Sequence, residues 1–102
     1  MVKITLVCSA GMSTSMLMER MKQAAEDKGI EVQMQALSET EIKENIGETD
    51  ILLLGPQIRY MISGMRAEYG SKIPVIEVID MSDYGLMNGV KVLSDALALL
   101  NK

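Results

Sequence analysis

The sequence predicts an α/β protein, a single domain over residues 1–102 in which helices cover both faces of a four-stranded parallel sheet, giving three layers. Strand-like and helical periodicity alternate in the order β-α-β-α-β-α-β-α. Two strand-like segments, residues 3–7 and 51–54, are almost continuously apolar, as in strands covered on both faces. The chain has 102 residues, 48% hydrophobic and 24% charged, which is the size and composition of one globular domain.

The elements of the first half follow the strand at residues 3–7. Apolar residues recur at helical spacing over residues 13–28, and Gly29 is a stop signal for that helix. Residues 30–37 alternate in the manner of a strand. The capping box Ser38-Glu39-Thr40-Glu41 then opens a short helix that Gly47 ends.

The second half begins with the strand at residues 51–54, which Gly55-Pro56 ends. A helical stripe follows, formed by Ile58, Met61, Ile62 and Met65. Pro74 introduces a fourth strand at residues 75–79, and residues 80–89 are rich in turn formers. The last helix is expected to turn four apolar side chains inward: Val90, Leu93, Leu97 and Leu100.

The connections restrict the topology of the sheet. Right-handed crossovers, with the chain moving outward to strand two and returning for strand three, predict the strand order 2-1-3-4. The direction of winding then changes between strands one and three. Ligands of open α/β sheets bind outside the carboxyl ends of the strands at such a switch point.

The composition excludes several classes of function. The absence of histidine removes the commonest general base and metal ligand. The single cysteine, Cys8, can form neither an internal disulfide nor a multi-cysteine zinc site, which fits a reducing cytoplasm. A net charge of -4 argues against general affinity for nucleic acid or anionic lipid. No apolar run approaches the ~18 residues of a membrane span, so we expect no membrane insertion.

The loop at the switch point contains the only thiol. It reads Cys8-Ser9-Ala10-Gly11-Met12-Ser13-Thr14-Ser15. Successive backbone N–H groups of such small residues can surround an anion, and the N-terminus of the next helix adds partial positive charge. The same field favours a thiolate, so we expect the pKa of Cys8 to lie below its usual value of about 8.5. The sequence therefore predicts a phosphate-binding loop with a nucleophilic cysteine, rather than a buried structural cysteine.

Two chemistries use a cysteine in such a loop. Low-molecular-weight tyrosine phosphatases have a cysteine, five residues and then an arginine, and here that last position is Thr14. Without the guanidinium, charge that develops during hydrolysis is less well stabilised. Asp80 and Asp83 could reach the site, but turn formation explains them equally well. A phosphoryl carrier is favoured, and a phosphatase-like enzyme or a non-catalytic anion- or nucleotide-binding module stays open.

The cysteine loop, together with Leu53-Leu54-Gly55-Pro56-Gln57-Ile58 and Tyr60-Met61, resembles the IIB component of the lactose/cellobiose (N,N′-diacetylchitobiose) class of bacterial sugar phosphotransferase systems. The resemblance covers essentially the whole chain, and the turn Tyr84-Gly85 is also family-like. It implies the 2-1-3-4 sheet, similar to the low-molecular-weight tyrosine phosphatase fold. It also implies that Cys8 takes a phosphoryl group from a phosphohistidine of the IIA component. The acceptor is then a disaccharide held by the membrane IIC component. This chain does not show which disaccharide it is.

The residues of the two loops, together with the resemblance, suggest roles at the site. Backbone amides of residues 9–15 and the hydroxyls of Ser13, Thr14 and Ser15 are expected to bind the phosphoryl group, which Cys8 carries covalently without a cofactor or metal. Gln57 and Tyr60 are weaker candidates in a second loop. Arg59 could hold the incoming phosphate. Three methionines near the loop are expected to form an adaptable docking surface on a monomeric protein: Met12, Met16 and Met18.

Overall fold

The parallel sheet has the predicted topology. The computed structural model describes residues 1–8 and 12–101, with no description of the side chains of Met12 and Ser13. The four strands pair in parallel in the order β2-β1-β3-β4. Their bounds are β1 Val2–Val7, β2 Val32–Leu37, β3 Ile51–Leu54 and β4 Val75–Val78. The predicted switch point between β1 and β3 is therefore confirmed.

The helices of the described residues follow the predicted order with one addition. They are α1 Met12–Asp27, α2 Ile42–Asn45, α3 Ile62–Tyr69, α4 Met81–Gly85 and α5 Gly89–Leu100. Single 3₁₀ segments precede two of them, Glu39–Glu41 before α2 and Pro56–Met61 before α3. Helix α4 lies inside the segment predicted only as turns, because five residues are too few to show helical periodicity. No helix in the described part of the chain is both long enough and apolar enough to span a membrane.

Local signals fix the ends of several elements. Gly29 and Gly47 have φ angles of 70° and 54°, the left-handed conformation that glycine adopts without steric cost. At the predicted capping box, the Ser38 backbone N–H donates to Glu41 Oε1 at 2.8 Å. This hydrogen bond lowers the pKa of the Glu41 carboxyl, since it favours the charged form. Asp80 caps α4 by accepting hydrogen bonds from the backbone N–H groups of the second and third helical residues.

Two cores on opposite faces of the sheet produce the three layers. On one face, α1 and α5 pack over alternate residues of β1 and β3, including Ile4, Leu6 and Leu53. On the other face, α2, α3 and the 3₁₀ segment before α3 cover Leu52 and Leu54. The almost continuously apolar sequence of β3 reflects this coverage, because all four of its residues are buried.

The inward face of α5 agrees with the prediction except at Val90. Leu93 is buried, and Leu97 and Leu100 pack partly buried against the core, but Val90 is 54% exposed, and Val92 and Ala96 are buried in addition. The first residue of α5 explains the difference. A Cβ placed on Gly89 would lie 2.5 Å from the carbonyl carbon of Arg20 in α1. Because Gly89 has no side chain, the backbones of α1 and α5 can approach closely. This approach sets the rotation of α5, which places Val90 outside the interface with α1.

Candidate functional site

The carboxyl edge of the sheet places the cysteine beside the loop that follows β3. The sheet hydrogen bonds continue one residue past the strands, since the Cys8 backbone N–H donates to the Leu37 carbonyl at 3.2 Å. Likewise the Gly55 N–H donates to the Val7 carbonyl at 2.8 Å. Cys8 and Gly55 are thus held by the sheet itself, so the position of the thiol depends on rigid backbone and not on a free loop.

The thiol lies between side chains from two other loops. Cys8 is 1% exposed, and its Sγ lies 3.5 Å from the Tyr84 hydroxyl oxygen on α4. Gln57, from the segment after β3, places its Oε1 atom 3.8 Å from Cys8 Sγ, where the thiol is the donor. The site therefore combines the ends of β1 and β3 with the helix that follows β4.

Gly55 packs closely beside the sulfur. A Cβ at this position would lie 3.3 Å from Cys8 Sγ and 3.0 Å from Gln57 Oε1. A larger residue would therefore require the thiol or the end of the Gln57 side chain to shift. The Gly-Pro-Gln segment thus has a physical reason to begin with glycine.

Helix α1 begins four residues after Cys8 and brings a buried hydroxyl with it. Thr14 is 1% exposed, and its Oγ1 has no hydrogen-bond partner among the described residues. No residue of the first turn of α1 is acidic, so nothing there competes with an anion for the positive end of the helix. A buried hydroxyl without a partner is costly, and a phosphoryl oxygen would satisfy it.

The other predicted phosphate-binding residues are only partly covered by the structure. Ser9, Ala10 and Gly11 lie outside the described residues, as do the side chains of Met12 and Ser13. Ser15 is exposed. The loop's contribution of backbone amides therefore stays a prediction.

The second predicted loop brings one residue to the thiol, although all three of its candidates are exposed. Gln57 faces the thiol while being exposed, and Arg59 and Tyr60 are exposed as well, Tyr60 to 75%. Within residues 1–8 and 12–101, the Arg59 side chain makes no ion pair or hydrogen bond. Arg59 is thus available to an incoming group but is not part of a preformed site.

The two carboxylates considered as catalytic acids hold the fold instead. Asp80 caps α4, and Asp83, 7% exposed, accepts a hydrogen bond from Lys91 Nζ at 2.9 Å. Lys91 also contacts Asp95 at 2.9 Å. These hydrogen bonds, with Asp95 and then Asp83, raise the pKa of the Lys91 ammonium above its usual value. Turn formation is therefore the better interpretation of Asp80, and Asp83 anchors α4 to α5.

The methionines predicted to form a docking surface differ in exposure. Met16 is 58% exposed, but Met18 is partly buried and packs against the core under α1. The prediction for Met18 was wrong because the apolar stripe of α1 is wide enough to include it. Met21 and Met65 are buried, as expected for core residues.

Sequence reasoning assigned no role to Tyr84 or Gly55, although both contact the thiol region. Tyr84 was noted only as part of a family-like turn. Its position just after β4 was the available signal, since that segment starts at the same edge of the sheet as the cysteine loop. Among the described residues, no group of three or more Cys, Asp or Glu side chains is arranged to hold a metal ion.

Comparison with known proteins identifies the family. Residues 3–95 match the family model of the "PTS system, Lactose/Cellobiose specific IIB subunit". The chain belongs to this family. It is therefore a IIB component of a sugar phosphotransferase system, and IIB components are sugar phosphotransferases. The sequence resemblance and the predicted fold are both confirmed.

Named relatives of this IIB subunit match along almost their whole length. The "PTS system oligo-beta-mannoside-specific EIIB component" of Bacillus subtilis (strain 168) is 39% identical over 100 residues, with 98% of this chain and 97% of the relative covered. The "PTS system cellobiose-specific EIIB component" of Lactococcus lactis subsp. lactis (strain IL1403) is 40% identical over 107 residues, with coverage of 96% and 95%. The solution structure of the cellobiose-specific phosphotransferase IIB component from Borrelia burgdorferi has a TM-score of 0.78 and 41% identity, with coverage of 98% and 92%.

Proposed function

We propose that Cys8 is the phosphoryl carrier of this IIB subunit. It receives the group from a phosphohistidine of the IIA component and passes it to a disaccharide of the cellobiose, chitobiose or lactose class bound by the membrane IIC component. The observation that carries the proposal is a thiol at the switch point, followed in the first turn of α1 by the buried Thr14 hydroxyl, which has no hydrogen-bond partner among the described residues. The protein acts as a monomer in the cytoplasm, and no metal or other cofactor takes part.

The two half-reactions are in-line displacements at phosphorus. In loading, the Cys8 thiolate attacks, the P–S bond forms and the P–N bond to the IIA histidine breaks. In unloading, a sugar hydroxyl attacks, the P–O bond forms and the electron pair of the P–S bond returns to sulfur. The protein's contribution is to position the group and to stabilise its charge.

The phosphoryl oxygens need donors, and the cysteine loop supplies them. Backbone amides of residues 9–15 lead into the N-terminus of α1, which attracts an anion through its unsatisfied N–H groups. The Thr14 hydroxyl adds a donor, and no residue in the described part of the chain is hydrogen-bonded to it. The hydroxyls of Ser13 and Ser15 are the remaining donors that we assign to the group.

Carrier chemistry is favoured over hydrolysis by the groups that accompany the thiol. A phosphatase needs a base or acid for water and a clamp for the developing charge. The chain has no histidine, and Thr14 stands where the phosphatases have arginine. Asp80 and Asp83 are engaged in holding α4. The site is thus built to hold a phosphoryl group and not to activate water.

Exposed apolar side chains in segments that follow the carboxyl ends of the strands suit the docking of partner proteins. Met16, Tyr60 and Met81 are 58%, 75% and 65% exposed. Met16 lies near the start of α1, Tyr60 in the segment after β3, and Met81 at the start of α4. Each of these segments follows a strand whose carboxyl end lies at the same edge of the sheet as Cys8. We assign this surface to the IIA and IIC components, with Arg59 beside it. The named relatives serve different sugars, so the choice of sugar belongs to IIC.

Intact-mass measurement after incubation with phosphorylated IIA tests the proposal. We expect one phosphoryl adduct on the wild-type protein and none on Cys8→Ser, because a serine hydroxyl is scarcely ionised near neutral pH. A thermal unfolding curve serves as control, since exchanging sulfur for oxygen should leave the fold intact. Rapid release of inorganic phosphate would support the phosphatase alternative instead. No adduct on either protein would indicate a binding module.

A further inference from the structure

We propose that the Tyr84 hydroxyl is a catalytic hydrogen-bond donor to the Cys8 sulfur, stabilising it as the leaving group when the phosphoryl group passes to the sugar. The inference rests on the proposed function and adds a residue to it. Its starting point is the distance of 3.5 Å between the Tyr84 hydroxyl oxygen and Cys8 Sγ.

The ionisation state of the sulfur decides the direction of this hydrogen bond. A thiol can donate or accept, but a thiolate has no hydrogen and can only accept. In the thiol form, the S–H group can donate to Gln57 Oε1, 3.8 Å away, or to the Tyr84 hydroxyl. In the thiolate form, Tyr84 must be the donor of its contact with sulfur.

Burial makes a donor at this position valuable. Cys8 is 1% exposed and Tyr84 is 6% exposed, so little water reaches the charge that develops on sulfur. A negative group deprived of water is disfavoured unless protein donors replace its solvation. A fixed hydroxyl beside the sulfur performs this replacement, and hydrogen bonds to charged groups are the stronger ones.

The fold holds the Tyr84 hydroxyl in place before reaction. The Tyr84 backbone N–H donates to the Asp80 carbonyl at 2.9 Å, and the Asp80 side chain caps the same helix. The adjacent Asp83 is tied to α5 through Lys91 Nζ at 2.9 Å. The Tyr84 ring belongs to the core under α1 and α5. The donor therefore needs no reorganisation when the sulfur becomes charged.

The donor affects the two half-reactions in opposite directions. In unloading, the sugar oxygen bonds to phosphorus, its proton is released to solvent, and the P–S electron pair stays on sulfur as a thiolate that Tyr84 stabilises. In loading, the same thiolate loses part of the hydrogen bond from Tyr84 as it attacks phosphorus. Nucleophilicity of thiolates falls as their basicity falls, with a Brønsted coefficient of about 0.4–0.5 in thiol–disulfide exchange, which we take as an upper guide for attack on phosphorus. Tyr84 thus speeds up unloading and slows loading slightly.

The test is Tyr84→Phe, which keeps the ring and removes only the hydroxyl. Loss of a hydrogen bond to a charged group shifts the equilibrium between thiolate and phosphocysteine by about tenfold. If this effect is shared about equally between the two steps, unloading becomes about threefold slower and loading about threefold faster at a pH where the thiol is fully ionised. The ratio of the two rate constants therefore falls about tenfold. Tyr69→Phe is the matched control, because Tyr69 packs against the opposite core.

Single-turnover measurements separate the outcomes. Loading is followed with phosphorylated IIA, and unloading with purified phosphoprotein, IIC membranes and sugar. Equal slowing of both steps, or an unchanged ratio, would overturn the role of Tyr84 as leaving-group donor. An absent Cys8 adduct in the wild-type protein would instead overturn the proposed function. Alkylation of Cys8 by iodoacetamide is an independent readout, since its pH midpoint should move upward by about one unit in Tyr84→Phe alone.

Discussion

At the scale of single residues, two buried threonines show how the same side chain serves stability or function. Thr5 and Thr14 are each 1% exposed. The Thr5 hydroxyl is fully engaged, 2.8 Å from Thr49 Oγ1 and 3.0 Å from Gln35 Nε2, which donates to it. The Thr14 hydroxyl has no partner among the described residues. One threonine thus has a structural role, and the other is the one that we assign to the phosphoryl group.

Replacing each threonine by valine should give opposite effects on stability. Thr14→Val removes an unsatisfied buried hydroxyl without changing the shape, so the free energy of unfolding should rise by about 1 kcal/mol. Phosphoryl loading should nevertheless slow by about tenfold, because a donor to the charged group is lost. Thr5→Val, the control, should lower the free energy of unfolding by about 1–3 kcal/mol, since its partners are left unpaired.

Urea unfolding and single-turnover loading measure these quantities. A Thr14→Val protein that is destabilised, or that loads at the wild-type rate, would contradict the assignment of Thr14 to the phosphoryl group.

At the scale of elements, the contact of α1 with α5 depends on a single glycine. A Cβ at Gly89 would lie 2.5 Å from the Arg20 carbonyl carbon and 2.6 Å from the Met21 backbone nitrogen. Backbone atoms cannot move aside as a flexible side chain can. The two helices therefore have to separate for any larger residue, and α5 carries Lys91, which anchors α4 beside the site.

Alanine at position 89 should therefore destabilise the protein by about 2–3 kcal/mol through overpacking. Gly64→Ala is the matched control, because no atom lies within 4 Å of a Cβ at that position of α3. There the substitution should stabilise by about 0.5–1 kcal/mol, since alanine is the better helix former. Chemical denaturation of both variants checks the pair. Equal effects at the two positions would show that the close helix contact is absent.

At the scale of the whole molecule, the sheet organises the site. The ends of β1 and β3 and the helix after β4 converge on one thiol, so the sulfur, its donor and its neighbouring amide come from three separate stretches of chain. Two cores cover the sheet and leave its carboxyl edge for chemistry. A carrier with this arrangement must keep its phosphoryl group from water until the acceptor arrives.

Phosphorylated Cys8 should therefore be long-lived in the isolated protein and disappear quickly only when an acceptor is supplied. The α1 N-terminus is expected to stabilise the bound anion, while the chain has no histidine and has Thr14 where the phosphatases have arginine, so attack by water is not assisted. Phosphorus NMR of the purified phosphoprotein at neutral pH, alone and with IIC membranes plus sugar, follows the loss. Hydrolysis as fast as transfer to sugar would favour the phosphatase alternative.

Sequence alone determined the element order apart from α4, the sheet topology and the location of the thiol. These follow from local information: apolar runs for β1 and β3, the capping box at Ser38, and glycines 29 and 47 at helix ends. Cys8 directly follows the first strand, and the right-handed crossover rule then places it at the switch point of the sheet. The family was recognisable for the same reason, since its cysteine loop is one continuous segment.

Only the tertiary structure decided which side chains meet the sulfur and which helix faces are buried. Tyr84 lies 76 residues after Cys8, and no local pattern encodes a contact over that separation. The exposure of Val90 likewise depends on the close approach of Gly89 to α1, which periodicity within α5 cannot show. Periodicity identifies an apolar stripe, but the packing of one helix on another selects the part of that stripe removed from water.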